Sequence, residues 1–262
     1  MFNFCSLFSG SSGNSSFVQT DTTKILIDCG ESAKKIVNSL LEINVNIENI
    51  NAILITHEHI DHVKSLGTLS KKYNIPVYIN AETLNAMPDQ KSKINIKNIH
   101  FFDFTDDFYI GDLKIHPFHI PHDAANPCGF NIYNNEKKIS VATDIGHITP
   151  EIINNLEHST FLLLESNYDP NILKCSPYPY RLKERIAGPY GHLSNSSAGQ
   201  TISHLLNTGL KTVMLGHLSK ENNFPELAYK TVMEELIYNN YTEDSLKISV
   251  ATRYNHSPII EI

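Results

Sequence analysis

The chain has 262 residues, 41% hydrophobic and 19% charged, an ordinary globular balance with enough apolar material for one large domain or two small ones. Its formal net charge of -7 at pH 7 argues against a surface that coats nucleic acid generally, while leaving room for a local basic groove. The four cysteines, Cys5, Cys29, Cys128 and Cys175, contain no C-x-x-C pair, which excludes a cysteine zinc knuckle and suits reduced, mostly structural thiols in a cytoplasmic protein.

The opening MFNFCSLFSGSSGNSS carries neither a basic run nor a long apolar stretch, so it does not read as a signal peptide, and no run approaches a membrane span. With no linker, repeat or low-complexity block, residues 1–262 are expected to form a single domain. Ser9 to Asn14 form a Gly/Ser loop between β segments. Phe17–Thr20 and Lys24–Ile27 predict a hairpin, and Ala33, Ile36, Val37, Leu40 and Leu41 have helical spacing. A strand at Ala52–Ile55 leads into ITHEHIDH, and a helix is expected from about Asp61 to Tyr73. Further strands are expected at Pro76–Ile79, Leu113–Ile115, Phe130–Tyr133, Ile139–Ala142 and Phe161–Leu164. A helix follows over Asn195–Asn207, with Ser194 as N-cap and Gly209 past its end. Val213–Leu215 is a strand, Pro225–Asn239 a helix with Pro at its first position, and Leu246–Val250 a last strand. Strands and helices in both halves suggest two sheets covered by helices.

The HEHIDH run places three histidines and two acids within six residues at the end of a strand. Two residues apart, His57 and His59 diverge on a helix but can converge at a strand end. Asp61 replaces the second histidine of the metalloprotease H-E-x-x-H pattern. Four such groups crowd a single ion, so a pair of ions fits better, His57 and His59 on one, Asp61 and His62 on the other. Other apolar strands also end in ionisable residues: Asp28 after Ile25–Ile27, Asp144 after Ser140–Thr143, His217 after Val213–Gly216, with His122 after Ile120–Pro121.

Asp28, HEHIDH, His122, Asp144 and His217, in that order, resemble the metallo-β-lactamase superfamily over nearly the whole chain. The resemblance implies an αββα sandwich of the α+β class that binds two divalent ions, zinc or manganese. His57, His59 and His122 would hold the first, Asp61, His62 and His217 the second, with Asp144 between them and Asp28 fixing the histidine loop. His119 lies three residues before His122 and is the other candidate for the third motif. His122 is preferred because the loop PHDAANPCGF leads directly into the next strand. His147, close to Asp144 in TDIGH, is a candidate to support the ligands.

Two such ions carry more charge than Asp61 and Asp144 cancel, so a water between them would ionise near neutral pH and suit an anionic transition state. The stretches LLESNYD and GHLSN resemble the nuclease branch, which implies His192 as proton donor to the leaving oxygen, oriented by Glu165, with Asp61 beside them in the catalytic set. SLFSGSSGNSSFV, ESNYD, GPYGHLSN and GHLSKENN are similar to the WalJ/YycJ-type family, regarded as DNA exonucleases acting from the 5′ end. The run from Glu165 to His192 is too short for the inserted domain of RNA-processing relatives. The Gly/Ser loop offers Ser11 and Asn14 as phosphate contacts. Lys174, Arg181, Lys183 and Arg185 against Glu184 give the Lys174–His192 segment a local charge of +3 (four minus one), interleaved with Tyr178, Tyr180 and Tyr190. This suits a nucleic-acid end, through Arg181 and Arg185 above all. Ser194, Asn195 and Ser219 complete the candidate substrate contacts. A small-molecule ester, thioester or lactam hydrolase and an RNA-processing nuclease are the alternatives, and a non-catalytic binding module would have lost ligands that are all present here.

Overall fold

Runs such as Leu26–Ile27 and Phe161–Leu164 are apolar at every position rather than at alternate ones, as strands covered on both faces are. In the computed structural model, which describes residues 1–239 and 246–262, both lie inside seven-stranded sheets. The first sheet contains β1 (Phe2–Phe8), β2 (Ser15–Thr20), β3 (Lys24–Ile27), β4 (Ala52–Leu54), β5 (Val77–Ile79) and β6 (Ile99–Phe101). The second contains β7 (Phe108–Ile110), β8 (Leu113–His119), β9 (Cys128–Asn134), β10 (Lys137–Ala142), β11 (Phe161–Glu165), β12 (Thr212–Gly216) and β13 (Lys247–Val250). The chain then crosses back, and β14 (Ile260–Glu261) pairs with β1 in the first sheet.

Both sheets have the same plan. β1, β2 and β3 are antiparallel, after which β4, β5 and β6 continue parallel to β3. Likewise β8, β9 and β10 alternate, and β11, β12 and β13 run parallel to β10. Ile25, Ile27, Phe161 and Leu163 face the layer between the sheets, with Phe4, Phe130 and Met214. Leu26 and Ile53 face outward onto Ile36 and Leu40 of α1 (Ala33–Glu42). A short α2 (Ile60–Val63) and α3 (Leu66–Tyr73) share that outer layer, and α4 (Ala81–Ala86) and α5 (Pro88–Lys91) follow β5. Leu162 and Leu164 face α6 (Pro150–Leu156) and the later helices. α7 (Pro170–Cys175) and α8 (Tyr180–Ala187) form an arm at the sheet ends, and α8 buries no residue. α9 (Asn195–Leu205) and α10 (Pro225–Tyr238) complete the second outer layer through Ala198, Ile202, Val232 and Leu236.

Ser194 caps α9 by accepting the Ser197 N–H at 3.2 Å, and Pro225 opens α10. The single helix expected over 61–73 is instead α2 and α3. The turn at Lys64 and Ser65 separates them because Ser65 bonds the Cys29 carbonyl through both its N–H (3.1 Å) and its hydroxyl (3.0 Å). That tertiary anchor outcompetes continuation of the helix. Leu41, placed on the buried face by its spacing, is 54% exposed at the edge of α1.

Parallel strands bring their C-terminal ends to one edge, and β8, antiparallel to a strand that is itself antiparallel to β10, ends there too. Asp28, the 55–62 segment, His122, Asp144, Glu165 and His217 therefore share one rim.

Candidate metal centre

At that rim the chain turns sharply after three strands. Asp28 (φ 60°), Asp144 (φ 62°) and His217 (φ 54°) all take the left-handed conformation, which redirects each side chain from the strand into the space between the sheet ends. Asp28 is buried beneath the histidine segment. It accepts the Thr56 N–H at 2.9 Å, the Thr56 hydroxyl at 2.8 Å and the His62 Nδ1–H at 2.8 Å. Thr56 Oγ1 in turn lies 3.0 Å from His57 Nδ1. The Nδ1 atoms of His57 and His62 are thereby held outward, and their Nε2 atoms face inward. His122 donates Nδ1–H to the Gly191 carbonyl at 2.9 Å, leaving its Nε2 3.3 Å from His59 Nδ1.

Two triads result. His57, His59 and His122 form one and Asp61, His62 and His217 the other, their ligand atoms lying within 4.8 Å of one another in each triad. Asp144 reaches both: its Oδ1 lies 3.7 Å from His122 Nε2 and its Oδ2 lies 3.3 Å from His62 Nε2. His57 Nε2, His217 Nε2 and Asp144 Oδ2 are buried without a hydrogen-bond partner. Buried ring nitrogens and carboxylate oxygens that converge without partners draw positive charge into the site, as protons or as cations. The donor set, imidazole nitrogen with carboxylate oxygen, fits two divalent ions such as zinc or manganese.

Fully buried, Glu165 accepts His192 Nδ1–H at 2.9 Å and His217 Nδ1–H at 2.7 Å on one oxygen. Its other oxygen takes the N–H groups of Ile145 (2.7 Å) and Leu193 (3.0 Å). Burial pushes the carboxyl pKa up, but the His192 and His217 charges and bonds outweigh it and hold it at about 2. Burial alone would lower the His217 pKa, yet Asp144, Asp61 and Glu165 raise it to about 10. His192 is likewise raised, Glu165 and Asp144 outweighing its burial. His57 moves the other way, well below the usual range, through burial and then the charge of His62.

His122 rather than His119 joins the cluster, since His119 stacks on Phe104 at 3.7 Å between ring centroids, outside it. His147 does not support the ligands, because its Nδ1–H turns to the Pro189 carbonyl at 2.7 Å. Among the candidate substrate contacts, Asn195 is misplaced: it is fully buried, with its Oδ1 accepting from Ser166 and Asn223. Ser194 spends its hydroxyl on the helix cap, and Ser219 accepts from the Asn222 N–H at 3.2 Å. Asn14 is also committed inward, accepting the Gly10 N–H at 2.9 Å and placing Nδ2 3.0 Å from His62 Nε2. Ser11 and Arg181 are exposed, and Arg185 pairs with Asp123 beside His122. Sequence reasoning passed over Thr56, although it lies within ITHEHIDH, and Asp123, adjacent to His122.

A family profile described as the beta-lactamase superfamily domain matches residues 23–218. The chain is 39% identical to exodeoxyribonuclease WalJ of Streptococcus pneumoniae, over 90% of this chain and 88% of that protein. It is 36% identical to exodeoxyribonuclease YycJ of Bacillus anthracis, over 89% of each. Among solved structures, the metallo-beta-lactamase fold protein YhfI from Bacillus subtilis superposes with a TM-score of 0.67 at 16% identity, covering 97% of this chain and 99% of that one. That likeness speaks to the fold.

Proposed function

Because the chain belongs to the beta-lactamase superfamily and, within it, to the WalJ/YycJ exodeoxyribonuclease family, and is therefore a metal-dependent hydrolase, we propose that it is a dinuclear phosphodiesterase that removes nucleotides from DNA ends, most directly from the 5′ end. The observation that carries this reading is the Glu165–His192 pair, set 2.9 Å apart on the flank of the two triads. An ester or lactam hydrolase needs the triads but not a second proton-carrying imidazole beside them.

In this reading His57, His59 and His122 hold one ion and Asp61, His62 and His217 the other, with Asp144 shared. When bound, the ions supply an ionised water and neutralise charge on the phosphate. Asp28 fixes the ring orientations of His62 directly and of His57 through Thr56. Glu165 fixes His192 with Nδ1–H inward, so that Nε2 carries the proton given to the leaving oxygen. The charges of Glu165 and Asp144 favour the protonated imidazole. Arg185 and the exposed Tyr180 of the α7–α8 arm, with Tyr190 just beyond it, border the path of the strand.

The test is cleavage of end-labelled single- and double-stranded DNA and RNA with zinc and with manganese. Stepwise loss of nucleotides from DNA is expected, abolished in His57→Ala. A folded, metal-loaded chain that cleaves none of these substrates would refute the proposal.

A further inference from the structure

β13 runs parallel to β12, with Thr212 opposite Lys247 and Leu215 opposite Val250, so it ends on the same rim as the metal triads. Arg253 lies three residues beyond that end, on the segment that crosses back to the first sheet. Its Nη2 donates to the carbonyl of Leu218, the residue after His217. Its Nη1 lies 3.5 Å from the hydroxyls of both Ser11 and Ser12. The guanidinium covers Gly10 so closely that a methyl group there would stand 2.6 Å from Nη1, and Gly10 has φ +147°.

The loop beneath Arg253 is rigidly tied to the second triad. Ser9 Oγ accepts the His217 N–H at 2.8 Å, Asn14 touches His62, and Gly13 N–H closes the turn on the Gly10 carbonyl at 2.9 Å. Ser11 and Ser12 are exposed, and among the described residues their N–H groups have no hydrogen-bond partner. Among the described residues no carboxylate lies within ion-pair distance of Arg253; Glu221, 3.9 Å from Lys220, acts on it only from farther off. A guanidinium with no direct ion-pair partner among the described residues, two hydroxyls and two N–H groups thus converge at the rim of a chain whose net charge is -7. A planar fork with adjacent hydroxyls and amides matches the oxygens of a phosphate.

Resting on the nuclease reading, we propose that Arg253, Ser11 and Ser12 form an anion subsite that grips a phosphate of the DNA strand beside the one being cleaved. The subsite adjoins the second triad through Leu218, the residue after His217, so a strand gripped there is held beside that triad.

The experiment compares wild type, Arg253→Ala and Arg253→Lys, each metal-loaded. The probe is a hydrolysis-resistant phosphorothioate oligonucleotide, with and without a 5′-phosphate, bound over a series of salt concentrations. KM and kcat are measured on the ordinary phosphodiester of the same sequence. Arg253→Ala is expected to weaken binding and raise KM about tenfold, the loss of one charge-assisted contact, with little change in kcat. Its log–log salt slope should fall by about 0.7, the release expected for one single-strand phosphate. Arg253→Lys should recover the slope and part of the affinity. An effect confined to the 5′-phosphorylated probe assigns the subsite to the terminal phosphate, and an equal effect on both probes assigns it to an internal one. Wild-type affinity and slope in Arg253→Ala overturn the subsite. So does an Arg253→Lys variant as weak as alanine, the pattern of a structural staple. If wild type cleaves no DNA, the nuclease reading fails on its own, and the phosphorothioate binding still decides the subsite.

Discussion

Glu165 holds His192 and His217 with one oxygen and two backbone N–H groups with the other. Its removal is therefore expected to act twice. In Glu165→Gln the amide can accept on one side only, and its NH₂ then confronts the N–H groups of Ile145 and Leu193. The variant should bind less metal at the second triad and also lose rate. His192→Ala, which leaves every triad member in place, should keep full metal content while kcat falls about 10²- to 10⁴-fold, the usual contribution of a general acid. Metal analysis beside single-turnover kinetics separates the two. A His192→Ala enzyme at wild-type rate would remove His192 from the mechanism. These residues were legible in the sequence for a single reason: an ionisable side chain directly after an apolar run stands at a strand end. The same rule applied to β13 leads to Arg253, three residues on, but the gap hides it. Ser194 was readable as the cap of α9, but nothing in the chain order announces that Asn195 spends its side chain on the interior.

The start of α1 is tied to the α2–α3 turn by Glu31. Its carboxylate accepts the Ser32 N–H and the Lys35 ammonium, each at 2.8 Å, and faces Lys64 at 3.7 Å. Burial pushes its pKa up, but Lys35, Ser32 and Lys64 outweigh this and hold it below the ordinary value. A depressed folded-state pKa means that the unfolded chain binds the proton more readily. The contribution is thus complete above the unfolded glutamate pKa of about 4.3 and is lost as pH falls below it. Glu31→Gln should cost about 1 kcal/mol at pH 7. Urea unfolding at pH 7 and again near pH 3 checks this, with the gap between variant and wild type closing at the lower pH. The elements themselves were readable where periodicity was strong, as in α1, α9, α10 and the long central strands. The break at Lys64 and Ser65 was not, because its cause is the Cys29 carbonyl, distant in sequence. The short β6, β7 and β14 and the α7–α8 arm carry too few buried residues to leave a pattern.

Across the whole molecule, the rim is built from both sheets: His57, His59, Asp61 and His62 follow the first, and His122, Asp144 and His217 the second. Ions that bridge the two should therefore stabilise the complete sandwich rather than one loop. Such binding selects the folded state, and at a thousandfold excess over Kd it adds about 4 kcal/mol per site. Metal analysis is expected to give two ions per chain. Chelation should lower the melting temperature by several degrees while far-UV circular dichroism stays unchanged, since the apolar layers hold the fold by themselves. The αββα layering was legible in the doubly buried strands and in the helices of both halves. The equivalence of the two sheets was not, because it resides in pairing order rather than in residue pattern.

Asp28, Asp144 and His217 hold a backbone twist that glycine would take freely. At about 1 kcal/mol apiece, the three together consume a visible share of the 5–15 kcal/mol on which a domain of this kind survives. With ions bound, their contribution outweighs this cost; in a chain that no longer loads them, it stands uncompensated at Asp144 and His217. A descendant released from chemistry should drift to glycine or asparagine at both well before its apolar layers change, leaving a recognisable scar of retirement in an otherwise intact scaffold.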